Sequence, residues 1–204
     1  MFHLRRISKS VTVGCRLLSS SPVKPPVGVS VDSEGIAIVQ LDRPPVNSLG
    51  VEVLQKLYES ICEVEKNKCK GLILTSASPT IFSAGLDFNE FLKPHPERCR
   101  LFTDSVLDVA LKLFGTDIIT TVAINGYAGA GACILATTCD YRAMTTGQSI
   151  IGLNDTTVGI PPAVWIYHLM ARLMQRARRM QNTPALVPSC TQQNELCRLD
   201  SLTM

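Results

Sequence analysis

Apolar and polar positions alternate near the front of the chain: Val29 and Val31 lead into Asp32-Ser33-Glu34-Gly35, and Ile36, Ile38 and Leu41 follow. That pattern predicts a β-hairpin. Two prolines in Arg43-Pro44-Pro45-Val46-Asn47-Ser48-Leu49 then forbid regular structure, after which Val53, Leu54, Leu57, Ile61 and Val64 recur at helical spacing. Leu72-Ile73-Leu74 reads as a short buried strand, Ser76 to Ala84 as a long loop, and Phe88 to Leu92 as a short amphipathic piece. Leu101 to Phe114 is a helix by the spacing of Val106, Val109, Ala110 and Leu113. Ile118 to Ile124 is of β type, Gly131 to Thr138 reads as helix, and a last helix is expected over Ala163 to Met180. In that helix Trp165, Ile166, Leu169, Met170, Leu173 and Met174 make one face, bordered by Arg172, Arg176 and Arg179. Strands alternating with helices define an α/β domain whose post-strand loops can carry a site.

Two such loops stand out, FSAGLD at Phe82 to Asp87 and NGYAGAGA at Asn125 to Ala132. Gly126, Gly129 and Gly131, with alanines between them, keep side chains away from main-chain N–H groups at an expected helix start, a position of the kind that serves anions and oxyanions. The same residues equally suit close packing of a helix on a sheet. A dinucleotide fingerprint would need glycine at Ile134, and a phosphate loop would need Gly-Lys-Ser/Thr at Gly131, Ala132 and Cys133. No Gly-x-Ser-x-Gly elbow occurs, and His3, His95 and His168 lie outside the glycine-rich turns, which disfavours Ser-His-Asp chemistry.

The 204 residues suffice for one domain, and a 46% hydrophobic, 18% charged composition suits a compact protein with no stretch long enough to span a membrane. Charge is uneven. Arg5, Arg6, Lys9, Arg16 and Lys24 precede the first acid, Asp32, so the chain without them carries about −2 instead of +3. Nothing in this distribution suggests nucleic-acid binding. Leu4, Ile7, Val11, Cys15 and Leu18 share one arc of a helical wheel with the basic residues opposite, the attributes of a mitochondrial transit peptide over 1–24; a disordered basic arm is the alternative. Eight cysteines without a Cys-x-x-Cys pair support neither a zinc site nor a redox motif; Cys133 and Cys139 read as small core residues.

In order, RPPVNSL, GLILTS, FSAGLD, AINGYAGAGACILATTCDYR and GLNDTTVGI resemble the enoyl-CoA hydratase/isomerase (crotonase) superfamily over roughly residues 29 to 167, and within it the mitochondrial isomerases most. The resemblance implies a crotonase-like spiral of ββα units in the α/β class, a core over 25–167, and an acyl-CoA thioester substrate in the mitochondrial matrix. It implies neither metal nor redox cofactor, because coenzyme A arrives as part of the substrate. By the same match the backbone N–H groups of Leu86 and Gly131 form the oxyanion hole. Ala84, Gly85, Leu86, Asp87 and Phe88 line the substrate loop, and Asn154 sits beside the acyl chain. The isomerases carry their catalytic glutamate in a Leu-Asn-Glu-Thr segment, and the matching residue is Asp155. The first carboxylate of the hydratase pair matches Ile134, which takes no proton. Isomerisation is therefore expected over hydration.

Two departures bear on that expectation. Asp155 is one methylene shorter than glutamate, a setback of about 1 Å that can cost around 100-fold, and a turn or capping carboxylate before Thr156 is the structural alternative. Family members also continue into C-terminal helices that cover the pocket and support a homotrimer, whereas 168–204 reads as a helix followed by a divergent, irregular tail. The helical part is thus expected to be incomplete, leaving the trimer without its usual support and a catalytically weak or inactive acyl-CoA-binding protein as the alternative function.

Overall fold

The computed structural model describes residues 24–92, 95–147 and 149–181. The expected transit peptide and irregular tail lie almost wholly outside them. The opening hairpin pairs β1 (Val27–Val31) antiparallel to β2 (Ile36–Leu41). Its turn is closed by the Asp32 carboxylate, whose Oδ1 accepts the Glu34 and Ile36 N–H groups, each at 2.9 Å. α1 (Val51–Lys66) follows and lays Val53, Leu54, Leu57, Ile61 and Val64 into the core, as the spacing predicts.

From there the chain repeats one course. β3 (Gly71–Ser76) joins the main sheet, β4 (Ile81–Ser83) starts a second sheet, and α2 (Asn89–Leu92) and α3 (Pro96–Gly115) follow. β5 (Ile119–Ile124) returns to the main sheet, β6 (Tyr127–Gly129) to the second, and α4 (Gly131–Thr138) closes that turn. β7 (Tyr141–Met144), β8 (Ile151–Gly152), a 3-10 turn (Asp155–Val158) and α5 (Val164–Gln181) complete it. The main sheet runs β1-β2-β3-β5-β7 and the second β4-β6-β8; every pair except β1–β2 is parallel. This is a spiral of ββα units.

The core gathers the inward faces of α1, α3 and α4 with the main-sheet residues Val39, Leu41, Leu72, Leu74, Val122 and Ile124. All eight residues of α4 are buried, which explains why its sequence is apolar and small all round instead of amphipathic. α5 turns Ile166 inward and leaves Tyr167 and His168 exposed, matching its expected face. Two short strands depart from the sequence reading: β4 lies in the expected loop between Ser76 and Ala84, and β6 lies within the expected tight turn. Each has three residues, too few to display a period of two. Among the described residues no helix is long and apolar enough to cross a membrane.

Candidate active site

The second sheet places the site. Its strands run parallel, so the segments following β4, β6 and β8 emerge at the same end: Ala84 to Phe88, Ala130-Gly131, and Asn154-Asp155.

The first segment is tied down from below. Asn47 is buried, and its Nδ2 donates to Ser76 Oγ at 2.8 Å and Phe82 O at 3.0 Å while its Oδ1 accepts the Arg43 N–H at 2.7 Å. Ser83 Oγ donates to Asn47 O at 2.7 Å and accepts the Gly85 N–H at 3.1 Å. Leu49 then runs beside the loop as a bridge to Leu86, its N–H donating to Gly85 O at 2.8 Å. The prolines of the preceding segment thus deliver Asn47 and Leu49 to the loop as braces.

The second segment meets the first in direct contact. Gly85 has φ +97°, and a Cβ there would come within 2.7 Å of Gly129 O, 2.9 Å of Ala130 Cβ and 3.0 Å of Gly131 N. A Cβ on Gly131 would lie 2.7 Å from Leu86 Cδ2 and 3.1 Å from Leu86 N. The glycines therefore do serve close packing, but of one loop on the other. Among the described residues neither the Leu86 N–H nor the Gly131 N–H donates a hydrogen bond within the chain. Two neighbouring N–H groups left without an acceptor can both donate to one external oxygen. Ala130, at the N-cap of α4, takes φ 48° and ψ −117° and is held there by its N–H donating to Gly152 O at 2.9 Å. Such a strained non-glycine conformation turns the following N–H. Sequence reasoning had no signal for it, since only glycines advertise positive φ.

The third segment brings the carboxylate. Asp155 is 9% exposed, and its Oδ2 is buried without a hydrogen-bond partner. Burial pushes its pKa above the ordinary aspartate value, with a backbone hydrogen bond opposing part of the shift. It stands close enough to α4 that its charge adds to burial in pushing the Cys133 thiol up to about 12. Asn154, the residue before, is exposed, with Nδ2 3.4 Å from the Tyr127 hydroxyl. The Asp155 carboxylate thus uses one oxygen on a backbone N–H, as a turn or capping carboxylate does, and leaves Oδ2 without a partner.

Of the remaining expected residues, Ala84 and Phe88 are exposed beside the loop, and Asp87 Oδ1 is engaged by the Asn89 N–H at 3.0 Å and its Nδ2 at 2.8 Å. Ile134 is 4% exposed on α4. Tyr127, Asn47, Ser83 and Glu90 were not singled out from sequence, because each acts through a tertiary contact. Two cavities lie apart from these segments. One of about 280 Å³ is lined by Leu54, Tyr58, Ser105 and Asp108, and an apolar one of about 170 Å³ by Leu107, Phe114, Thr138, Trp165 and Leu169. Among the described residues no three His, Cys, Asp or Glu side chains cluster as metal ligands.

Comparison with known proteins supplies a frame for this geometry. The family model described as enoyl-CoA hydratase/isomerase matches residues 32–188. Human mitochondrial enoyl-CoA delta isomerase 1 is 39% identical over 134 residues, 65% of this chain and 44% of that protein. The mouse protein of the same name is 40% identical over 142 residues, covering 67% of this chain and 49% of its own. The crystal structure of human mitochondrial delta3-delta2-enoyl-CoA isomerase superposes with a TM-score of 0.70 at 36% identity, over 74% of this chain and 62% of that one. The chain thus spans about half the length of the curated relatives it matches.

Proposed function

Because this chain belongs to the enoyl-CoA hydratase/isomerase family, we propose that it is an enoyl-CoA isomerase that moves the double bond of a 3-enoyl-CoA to the 2-position. The observation that carries this reading is one buried carboxylate, Asp155, whose Oδ2 has no partner, at the same end of the sheet as two unpartnered N–H groups, those of Leu86 and Gly131. In the reaction Asp155 takes a proton from C2, the carbon α to the thioester. The electron pair released spreads as a dienolate whose charge rests on the thioester oxygen, between the two N–H donors. Each such donor is typically worth roughly 3–4 kcal/mol in the transition state. Asp155 then returns the proton to C4, leaving the double bond between C2 and C3, so one carboxylate serves both transfers. Its raised pKa brings its basicity closer to that required. Coenzyme A enters as part of the substrate, and the chain's own groups supply the chemistry. Hydration would require a second carboxylate to help activate water, and Ile134 occupies the matching position.

The setting follows from the same relatives, which are named mitochondrial: the protein acts in the matrix on unsaturated acyl-CoA during β-oxidation, with 1–24 as its transit peptide. Conversion of a 3-enoyl-CoA to its 2-enoyl isomer, followed spectroscopically, tests the function. Asp155→Asn should abolish turnover; retained activity in that variant removes Asp155 from its role.

One observation favours a second reading, an acyl-CoA-binding protein without catalysis. Among the described residues α3 and α5 expose Leu107, Leu111, Phe114, Val164 and Tyr167, an apolar surface that a further element or a partner would cover. A folded chain that binds acyl-CoA without isomerising it would decide for this reading. A folded trimer that turns over substrate would decide against it.

A further inference from the structure

The loop carrying Leu86 leaves the site through α2, and α2 buries a charge. The Glu90 side chain is 6% exposed, so its carboxylate needs compensating partners. Arg98, in the first turn of α3, provides them: Nε donates to Oε2 at 2.7 Å and Nη2 to Oε1 at 2.7 Å, the forked pairing suited to a guanidinium. The same Nη2 donates to Glu52 Oε1 at 3.0 Å on α1. A cation in the first turn of a helix opposes the macrodipole, so helix formation alone does not explain Arg98. Glu90 Oε1 also accepts the Val51 N–H at 3.4 Å, at the start of α1, where Gly50 has no side chain to cap the helix.

The backbone of the same residue is fastened to the site. Glu90 N–H donates to Asp87 O at 3.1 Å, Asp87 N–H to Leu49 O at 3.2 Å, and Leu49 N–H to Gly85 O at 2.8 Å. Leu86 lies inside this series of bonds, between Gly85 and Asp87. A change in the seat of α2 is therefore transmitted to the direction of the Leu86 N–H.

We propose that Glu90 and Arg98 form a positioning pair that sets the Leu86 N–H in the oxyanion hole, touching no substrate themselves. The proposal rests on the isomerase reading of the site. A pair with only a structural role would lower the folded fraction on removal and leave kcat per folded molecule unchanged. The experiment uses the full chain with Arg98→Gln, Arg98→Lys and Glu52→Gln. Arg98→Gln should lower kcat about tenfold per folded molecule with KM within about twofold, as small displacements of a reacting group do. Arg98→Lys keeps the charge without the fork and should recover part of the loss, while Glu52→Gln removes only the exposed contact and should leave kcat unchanged. Hydrogen exchange of a peptide covering 84–92, read in the same proteins, needs no turnover: Arg98→Gln should speed it about tenfold or more while the β3 and β5 amides stay protected.

Unchanged exchange over 84–92, or unchanged kcat in folded Arg98→Gln, overturns the proposal. A parent chain without isomerase activity refutes the isomerase reading instead. The exchange comparison then decides separately whether the pair holds the loop. Should Arg98→Gln fail to fold, Arg98→Lys carries the same comparison with a smaller change, and the same unchanged results in it overturn the pair's role.

Discussion

Gly85→Ala is the sharpest perturbation of the proposed oxyanion geometry. At φ +97° an L-residue is strained, and left-handed backbone costs alanine roughly 1–2 kcal/mol. The added methyl would also overlap Gly129 O at 2.7 Å and Ala130 Cβ at 2.9 Å. Neither is the far end of a flexible side chain, so relief requires the two loops to separate. Their separation moves Leu86 N away from Gly131 N, and these are the two donors assigned to the thioester oxygen. A shift near 1 Å costs about 100-fold in rate, and loss of one donor outright about 10²–10³. The variant should therefore fold, with a Tm lower by roughly 4–10 °C for a loss of about 2–3 kcal/mol, and show kcat down by at least about 100-fold. The assay is 3-enoyl-CoA isomerisation at saturating substrate, paired with thermal unfolding. Gly28→Ala is the control, because nothing lies within 4 Å of its added methyl; it should change neither quantity appreciably. Folded Gly85→Ala turning over within about threefold of the parent would refute the placement of the oxyanion hole.

Three further outcomes follow from the same geometry. Burial raises the Asp155 pKa above the 3.8 of an ordinary aspartate, so the folded chain holds this proton at pH values where the unfolded chain has lost it. This group's contribution to stability falls as pH rises through that interval, and Asp155→Asn should melt higher than the parent at neutral pH, with the difference closing below about pH 4; kcat/KM should rise with pH along an acidic limb above the ordinary value. Asn47→Ala removes three hydrogen bonds from a buried side chain at φ 52° and should cost about 2–4 kcal/mol in denaturant unfolding. Alkylation of the native chain near pH 8 should label half-buried Cys62 and Cys99 long before Cys133 and Cys139, whose thiols burial pushes up to about 12; equal labelling would show α4 to be less enclosed than described.

Much of this arrangement was legible in the residues because long elements advertise themselves. α1 and α4 follow their apolar patterns, with α4 starting at Gly131 and ending at Thr138. The motif blocks likewise drew attention to Leu86, Gly131 and Asp155, whose loops follow β4, β6 and β8 at one end of the second sheet and whose roles stand as proposals. What stayed hidden was short or tertiary. β4, β6 and β8 have three, three and two residues, and no periodicity survives at that length. The strain at Ala130 had no marker because alanine is ordinarily a helix former. Glu90 read as one more polar residue of an amphipathic piece, since its burial depends on Arg98 arriving from another helix.

Those hidden strands also explain why Asp155 and the Leu86 and Gly131 N–H groups come to one end of the same sheet. Parallel neighbours in a sheet stand about 4.8 Å apart and end on the same side. β4, β6 and β8 therefore deliver three consecutive loops at strand spacing, with the Gly131 loop in the middle. The two outer loops are fixed to the middle one by different means. Gly85 and Leu86 lie against it through the contacts that the two missing Cβ atoms permit, and the last segment is tied to it where Gly152 O receives the Ala130 N–H. On the isomerase reading, an oxygen held between the first and second loops has the Asp155 loop as the next one along the sheet. Under the proposed roles, the ladder of the small sheet places Asp155 relative to the Leu86 and Gly131 N–H groups, so weakening the β6–β8 pairing should impair proton transfer while leaving acyl-CoA binding through the first two loops largely intact.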